Sequence, residues 1–144
     1  MNSLTPRIKA SILIATVTVL LDWIFHKTLT NPMETFDYFT VKWLLAFFVA
    51  TIFTNLSSIV AYGLRFKVLL PTAAIFSILM SMYYRWWEYF SNVPFSVRAP
   101  NIVFLERTNV VLFAGTWFIG HALFFIVGAL LARRFFKSSG VVSS

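Results

Sequence analysis

Apolar runs long enough to cross a bilayer recur four times along the chain, at 8–28, 39–62, 68–89 and 109–131, and polar or charged residues close each one. A helix needs about 20 such residues to cross roughly 30 Å of hydrocarbon. In that medium every backbone amide must find its partner within the chain, which an uninterrupted α-helix provides. The pattern predicts one all-α membrane domain over 1–144, with four transmembrane helices in an antiparallel bundle. Most connections are short. The outer one, 90–108, is longer: it holds Pro94 and Pro100 and alternates Val93, Phe95, Val97, Ile102 and Phe104 with few charges. A connection of that length and composition is expected to lie on the membrane surface or against another subunit.

Within the runs, small residues recur at helical spacing. Ala46, Ala50, Thr54 and Ser58 stand four apart in the second run, and Ala73, Ser77 and Ser81 do so in the third, leading to Arg85. Helices in lipid gain nothing by escaping water and associate by close van der Waals contact, which small side chains permit. The two stripes are therefore expected to face each other across a hairpin turning at Arg65 and Phe66, with Ser58 opposite Ala73, Thr54 opposite Ser77 and Ala46 opposite Arg85. The fourth run carries Gly115, Gly120 and Gly128 and reads as a packing helix as well. Gly63 stands where a helix end favours a left-handed residue, and Pro71 is expected near the start of the third helix, where its missing amide is tolerated.

Composition agrees with a bilayer: 59% of residues are hydrophobic and only 12% charged, for a mean hydropathy of +0.80. The net charge of +7 is distributed by side. Arg7, Lys9, Arg65, Lys67, Arg133, Arg134 and Lys137 fall at one face of a four-span arrangement with no acid among them, while all the carboxylates share the other face with the remaining cations. Positive residues stay cytoplasmic, so both termini and the middle turn are expected inside, against anionic inner-leaflet headgroups, as in the plasma membrane of a prokaryote. This distribution argues against nucleic acid as a partner. The basic start followed by an apolar run is expected to be a retained first span, since no small-residue cleavage site follows it. Absence of cysteine excludes disulfides, thiolate metal sites and cysteine nucleophiles.

Candidate chemistry gathers at the outer end. Asp22 interrupts the first run, and an acid near the centre of a span is unfavourable by about 2.5–3.5 kcal/mol on insertion scales, less toward the interface. Such a residue is expected to have a partner, and Arg85, on the small-residue stripe at a similar depth, is the one the pattern suggests. Lys42 is expected to snorkel outward toward Glu88. The rings Tyr83, Tyr84, Trp86, Trp87 and Tyr89 form an aromatic belt at the same end. Asp22 and His26 share a helix face four residues apart, and with Glu88 they are the candidate metal ligands, a carboxylate and imidazole set suited to copper or zinc. The Asp22-x-x-x-His26 spacing is weakly similar to the Asp-x-x-x-His element in the copper-site subunit of the membrane methane and ammonia monooxygenases; that family continues with a second His, where this chain has Phe39. His121 is a candidate cofactor contact, as a haem ligand or proton-relay element, or else a hydrogen-bonding partner of Asn55 or Thr54. Counted along the runs, His121 lies on the order of 15 Å deeper than His26 at ~1.5 Å per residue, too far for both to hold one ion.

No phosphate loop, zinc-protease helix or serine nucleophile elbow is present in the sequence, and nothing in it rises to a specific reaction. The expectation is a small multi-pass membrane protein without a catalytic or cofactor site of its own, an accessory or structural subunit of a larger membrane complex such as an oxidoreductase, or a homo-oligomer. The alternatives are a metal or redox enzyme using Asp22, His26, Glu88 or His121, and a small oligomeric transporter or channel.

Overall fold

A computed structural model describes residues 4–29, 36–57, 59, 64–91 and 110–137, with side chains over 6–25, 39–57, 59, 64–83 and 115–136. The described residues are all-helical apart from the short turn segments. The helices are α1 (Leu4–Leu29), α2 (Phe36–Ser57), α3 (Phe66–Ser91) and α4 (Val110–Lys137). All are long and apolar enough to cross a membrane. Even α2, the shortest at 22 residues, extends about 33 Å at ~1.5 Å per residue. Ser58, Gly63 and residues 92–108 of the outer connection expected at 90–108 lie outside the described residues; the helix before it runs on to Ser91.

Helix α1 packs against both α2 and α4, α4 also packs against α3, and α2 touches α3 less than any of these. The α2–α3 contact expected from the two stripes is present but slighter than the contacts α1 makes with α2 and α4. The stripe residues Ala46, Ala50, Thr54, Ala73 and Ser77 are all buried, but the hydroxyls on them reach elsewhere. Thr54 Oγ1 meets Ser11 Oγ of α1 at 3.0 Å, and Ser77 Oγ donates to the Phe118 carbonyl of α4 at 2.9 Å. Ser81 bonds back to the Ser77 carbonyl within its own helix. Small residues allow a close approach without choosing the partner, and here the partners are α1 and α4.

Of the three glycines, Gly128 stands closest against α1. A Cβ there would lie 3.0 Å from the Ile14 carbonyl oxygen and 3.2 Å from Thr18 Oγ1. Gly120 meets the Phe25 ring at ordinary van der Waals distance, and nothing stands within 4 Å of Gly115. The three glycines expected to pack are thus unequal. Between α2, α3 and α4 the core is aromatic, with Phe125 set against Phe53 and Phe76 at centroid distances of 5.7 and 5.5 Å. Leu20, Ile24, Leu44, Phe48, Leu70 and Met82 point outward, as lipid-facing positions should.

Helix α3 begins earlier than its proline suggests. The Val68 and Leu69 amides both donate to the Arg65 carbonyl, so the helix is under way before Pro71, which lies inside it. A proline removes the bond its amide would have given to the residue four before it, here Lys67. That position is exposed.

Candidate functional site

The site starts from the α1 stripe Ile14, Thr18 and Asp22, four residues apart and wholly buried. Residues at that spacing lie one above another on a helix. The first two press on Gly128, so the third continues along the same seam. On α4, His121 stands seven residues before Gly128, two turns along the same face. The antiparallel seam that sets Ile14 on Gly128 therefore brings Asp22 to His121, and His121 Nε2 lies 2.9 Å from Asp22 Oδ1.

Helix α2 supplies the third member. Lys42 stands four residues before Ala46 and eight before Ala50, so it belongs to their buried face. Its Nζ lies 2.8 Å from Asp22 Oδ2, and both side chains are 0% exposed. The ammonium also faces the Phe39 ring at 5.6 Å, within the range of a cation–π contact. Lys42 is therefore turned inward, a correction to the expected snorkelling. The carboxylate draws it: in a low-dielectric interior an unpaired acid is far more costly than a lysine stem brought in to meet it.

His121 is held at its other nitrogen. Nδ1 lies 2.7 Å from the Trp117 carbonyl, which only accepts, so Nδ1 carries the hydrogen. The ring sits among Trp117, Phe124 and Phe25 at 4.8, 5.7 and 6.1 Å between centroids. The described rings around the Asp22–His121 contact make its surroundings aromatic. The Nε2–Oδ1 contact is close without the alignment of a hydrogen bond.

Three helices thus converge on one buried carboxylate. The sequence singled out Asp22 and His121 separately but did not join them. The depth assigned to His121 is corrected: it is level with Asp22, about 6 Å along α1 from His26 at ~1.5 Å per residue. Counting from the ends of apolar runs takes every run as equally centred, whereas the observed register sets Gly128 against Ile14 and His121 against Asp22. Asn55 and Thr54, the expected partners of His121, are engaged at the far end of the helices: Asn55 Oδ1 accepts from Arg7 Nη1 and Thr54 meets Ser11. The side chains of Arg85, His26 and Glu88 lie outside the described residues. Among the described residues no group of three or more His, Cys, Asp or Glu is placed to hold a metal ion.

Beside this seam, among the described residues, a groove of about 510 Å³ opens between α1 and α4, lined by Phe25, Gly115, Thr116, Ile119, Gly120, Leu123 and Phe124. Phe25 and Phe124 separate it from His121. Its lining is apolar apart from Thr116, and Gly115 and Gly120 leave backbone bare along it.

No family model, no curated protein and no solved structure matches this chain.

Proposed function

We propose that this small integral membrane protein is a subunit without a reaction of its own, working in the plasma membrane of a prokaryote as part of a larger assembly, with both termini and the α2–α3 turn in the cytoplasm. The observation that supports this is the division between inside and outside. The described acid, lysine and histidine of the site are fully buried, while the open concavity beside them is an apolar groove with bare glycine backbone. A groove of that kind suits the close approach of another transmembrane helix, and a wholly sealed carboxylate suits no soluble substrate. The test is cross-linking in native membranes from Thr116→Cys and Ile119→Cys, together with purification in a mild detergent. Defined cross-linked products and a stable complex are expected. A chain that runs alone, with no product from either position, would overturn the reading.

The buried triad favours a second reading, a small oligomeric transporter that moves protons or a proton-coupled solute. Ionisable groups inside spans commonly mark such paths. Reconstituted vesicles under a pH gradient separate the two: proton flux abolished by Asp22→Asn, in protein that remains folded, favours transport over the subunit role.

A further inference from the structure

We propose that the inner end of the α1–α2 seam is a binding site for the phosphate of an anionic phospholipid, with the Arg7 guanidinium as its anchor. The site needs the start of α1 to lie at the cytoplasmic surface, as proposed above, and serves a subunit and a transporter alike. Arg7 is braced at both its backbone and its side chain. Its carbonyl accepts from Ser11 Oγ at 2.9 Å, and that hydroxyl meets Thr54 of α2. Its Nη1 donates to Asn55 Oδ1 at 3.0 Å. Asn55 is held in turn, its Nδ2 donating to the Thr51 carbonyl at 2.8 Å, so both ends of the amide are committed and its oxygen faces Arg7. A cation that only marks the cytoplasmic side needs no such brace.

A guanidinium carries five N–H donors in a rigid fork and no acceptor. Asn55 takes one of them, and no other described side chain engages the Arg7 guanidinium. The second Nδ2 hydrogen of Asn55 is open as well. The pair therefore presents donors only, half-buried at Arg7 and exposed at Asn55, and it fits an anion with adjacent oxygens, as a phosphate has.

The charge around the pair has one sign. Within α1 the only acid is Asp22, 15 residues beyond Arg7 and so about 22 Å along the helix at ~1.5 Å per residue. Within α2 it is Asp37, 18 residues before Asn55. Helix α4 has no acid, and its Arg133 and Arg134, five and six residues beyond Gly128, come level with Arg7 and Lys9 on the seam where Gly128 meets Ile14. What lies outward of the pair selects a lipid. Ile52 and Phe48 stand three and seven residues before Asn55, on its face of α2, and both are exposed, as is Ile12 on α1. An acyl chain can lie along these side chains while its phosphate stays at Arg7, a combination that neither a soluble phosphate nor an acidic peptide offers.

The test uses the full chain in a mild non-ionic detergent, with phosphatidylglycerol and phosphatidylcholine of identical acyl chains as probes and native mass spectrometry as the readout. One phosphatidylglycerol is expected to stay bound, retained about fivefold over phosphatidylcholine, the order one arginine contributes at an anionic surface, and to raise the unfolding temperature. Arg7→Gln should lower that retention by about fivefold, whereas Lys9→Gln, which removes an unbraced charge at the same level, should lower it less than about twofold. Asn55→Leu keeps every charge, removes the brace, and should lose most of what Arg7→Gln loses. Equal retention of the two lipids, equal losses from Arg7→Gln and Lys9→Gln, or full retention in Asn55→Leu would each overturn the site. Inorganic phosphate that displaces the lipid at equal concentration would overturn the assignment to a lipid. Thermal unfolding without added lipid checks that each variant is folded, and Arg7→Lys, which keeps the charge and loses the fork, replaces Arg7→Gln if that variant is not; it too should lose retention. Binding in detergent is blind to orientation and to assembly, so its failure is distinct from a failure of the topology or of the subunit role.

Discussion

At the residue scale, the unusual investment is a lysine, an aspartate and a histidine all withdrawn from lipid and water alike. Replacing a buried ion pair by apolar side chains of similar volume is often neutral or stabilising, whereas removing one partner and stranding the other is destabilising by about 3–5 kcal/mol. Asp22→Asn and Lys42→Met should therefore each reduce stability strongly, and the double variant should lose less than the sum, with a coupling of about 0.5–3 kcal/mol. Reversible unfolding in detergent measures this cycle, and additive losses would show that the 2.8 Å contact is not the coupling. Part of the triad was readable beforehand. An acid inside an apolar run demands a partner, and Lys42 stands on the same four-residue stripe as Ala46 and Ala50, which was the signal that it faces inward. Arg85, the partner the pattern suggested for Asp22, stands on the α3 stripe by the same spacing, and its side chain lies outside the described residues.

At the element scale, α1 is the hub. It is buried on two sides, by Ser11 and Thr54 toward α2 and by Ile14, Thr18 and Gly128 toward α4. Gly128 and Gly115 give a paired prediction. Gly128→Ala places a methyl group 3.0 Å from a backbone oxygen that has little room to yield, and overpacking of this kind is destabilising by about 1–3 kcal/mol. Gly115→Ala meets nothing within 4 Å and should leave stability unchanged or slightly raised through better helix propensity. Thermal unfolding of the two variants checks the contrast, and equal effects would contradict the seam described here. The smaller residues at helical spacing announced that these helices pack closely. Which stripe meets which helix could not be read from them, because a bare patch of backbone accepts any complementary surface.

At the scale of the whole molecule, the four apolar helices are compatible with a multi-pass protein, and the one-sided distribution of Arg7, Lys9, Arg65, Lys67, Arg133 and Arg134 motivates a cytoplasmic placement for both ends. The expected outcome is that Lys9→Cys, Lys67→Cys and Arg134→Cys all resist a membrane-impermeant thiol reagent in intact cells and react after the membrane is opened. A chain without native cysteine makes the experiment clean. Labelling of any of the three from outside would invert or break the proposed topology. The same orientation would set the Lys42–Asp22–His121 centre toward the outer half of the membrane, where the groove beside Gly120 also lies.

Long apolar helices are legible in the chain's hydropathy alone, because hydrocarbon requires backbone hydrogen bonds to close within the chain, and Asp22 and His121 stand out there as residues a lipid interior does not tolerate alone. That the two meet, with Lys42 beside them, emerges from the packing of three helices. Hydropathy records how far a residue stands from the ends of its own run, but contact between runs depends on register and rotation, and these are set by a few close approaches such as Gly128 on Ile14. Gly128 fits against the Ile14 carbonyl on the same seam that brings His121 to Asp22, and the site follows from that alignment rather than from a local motif.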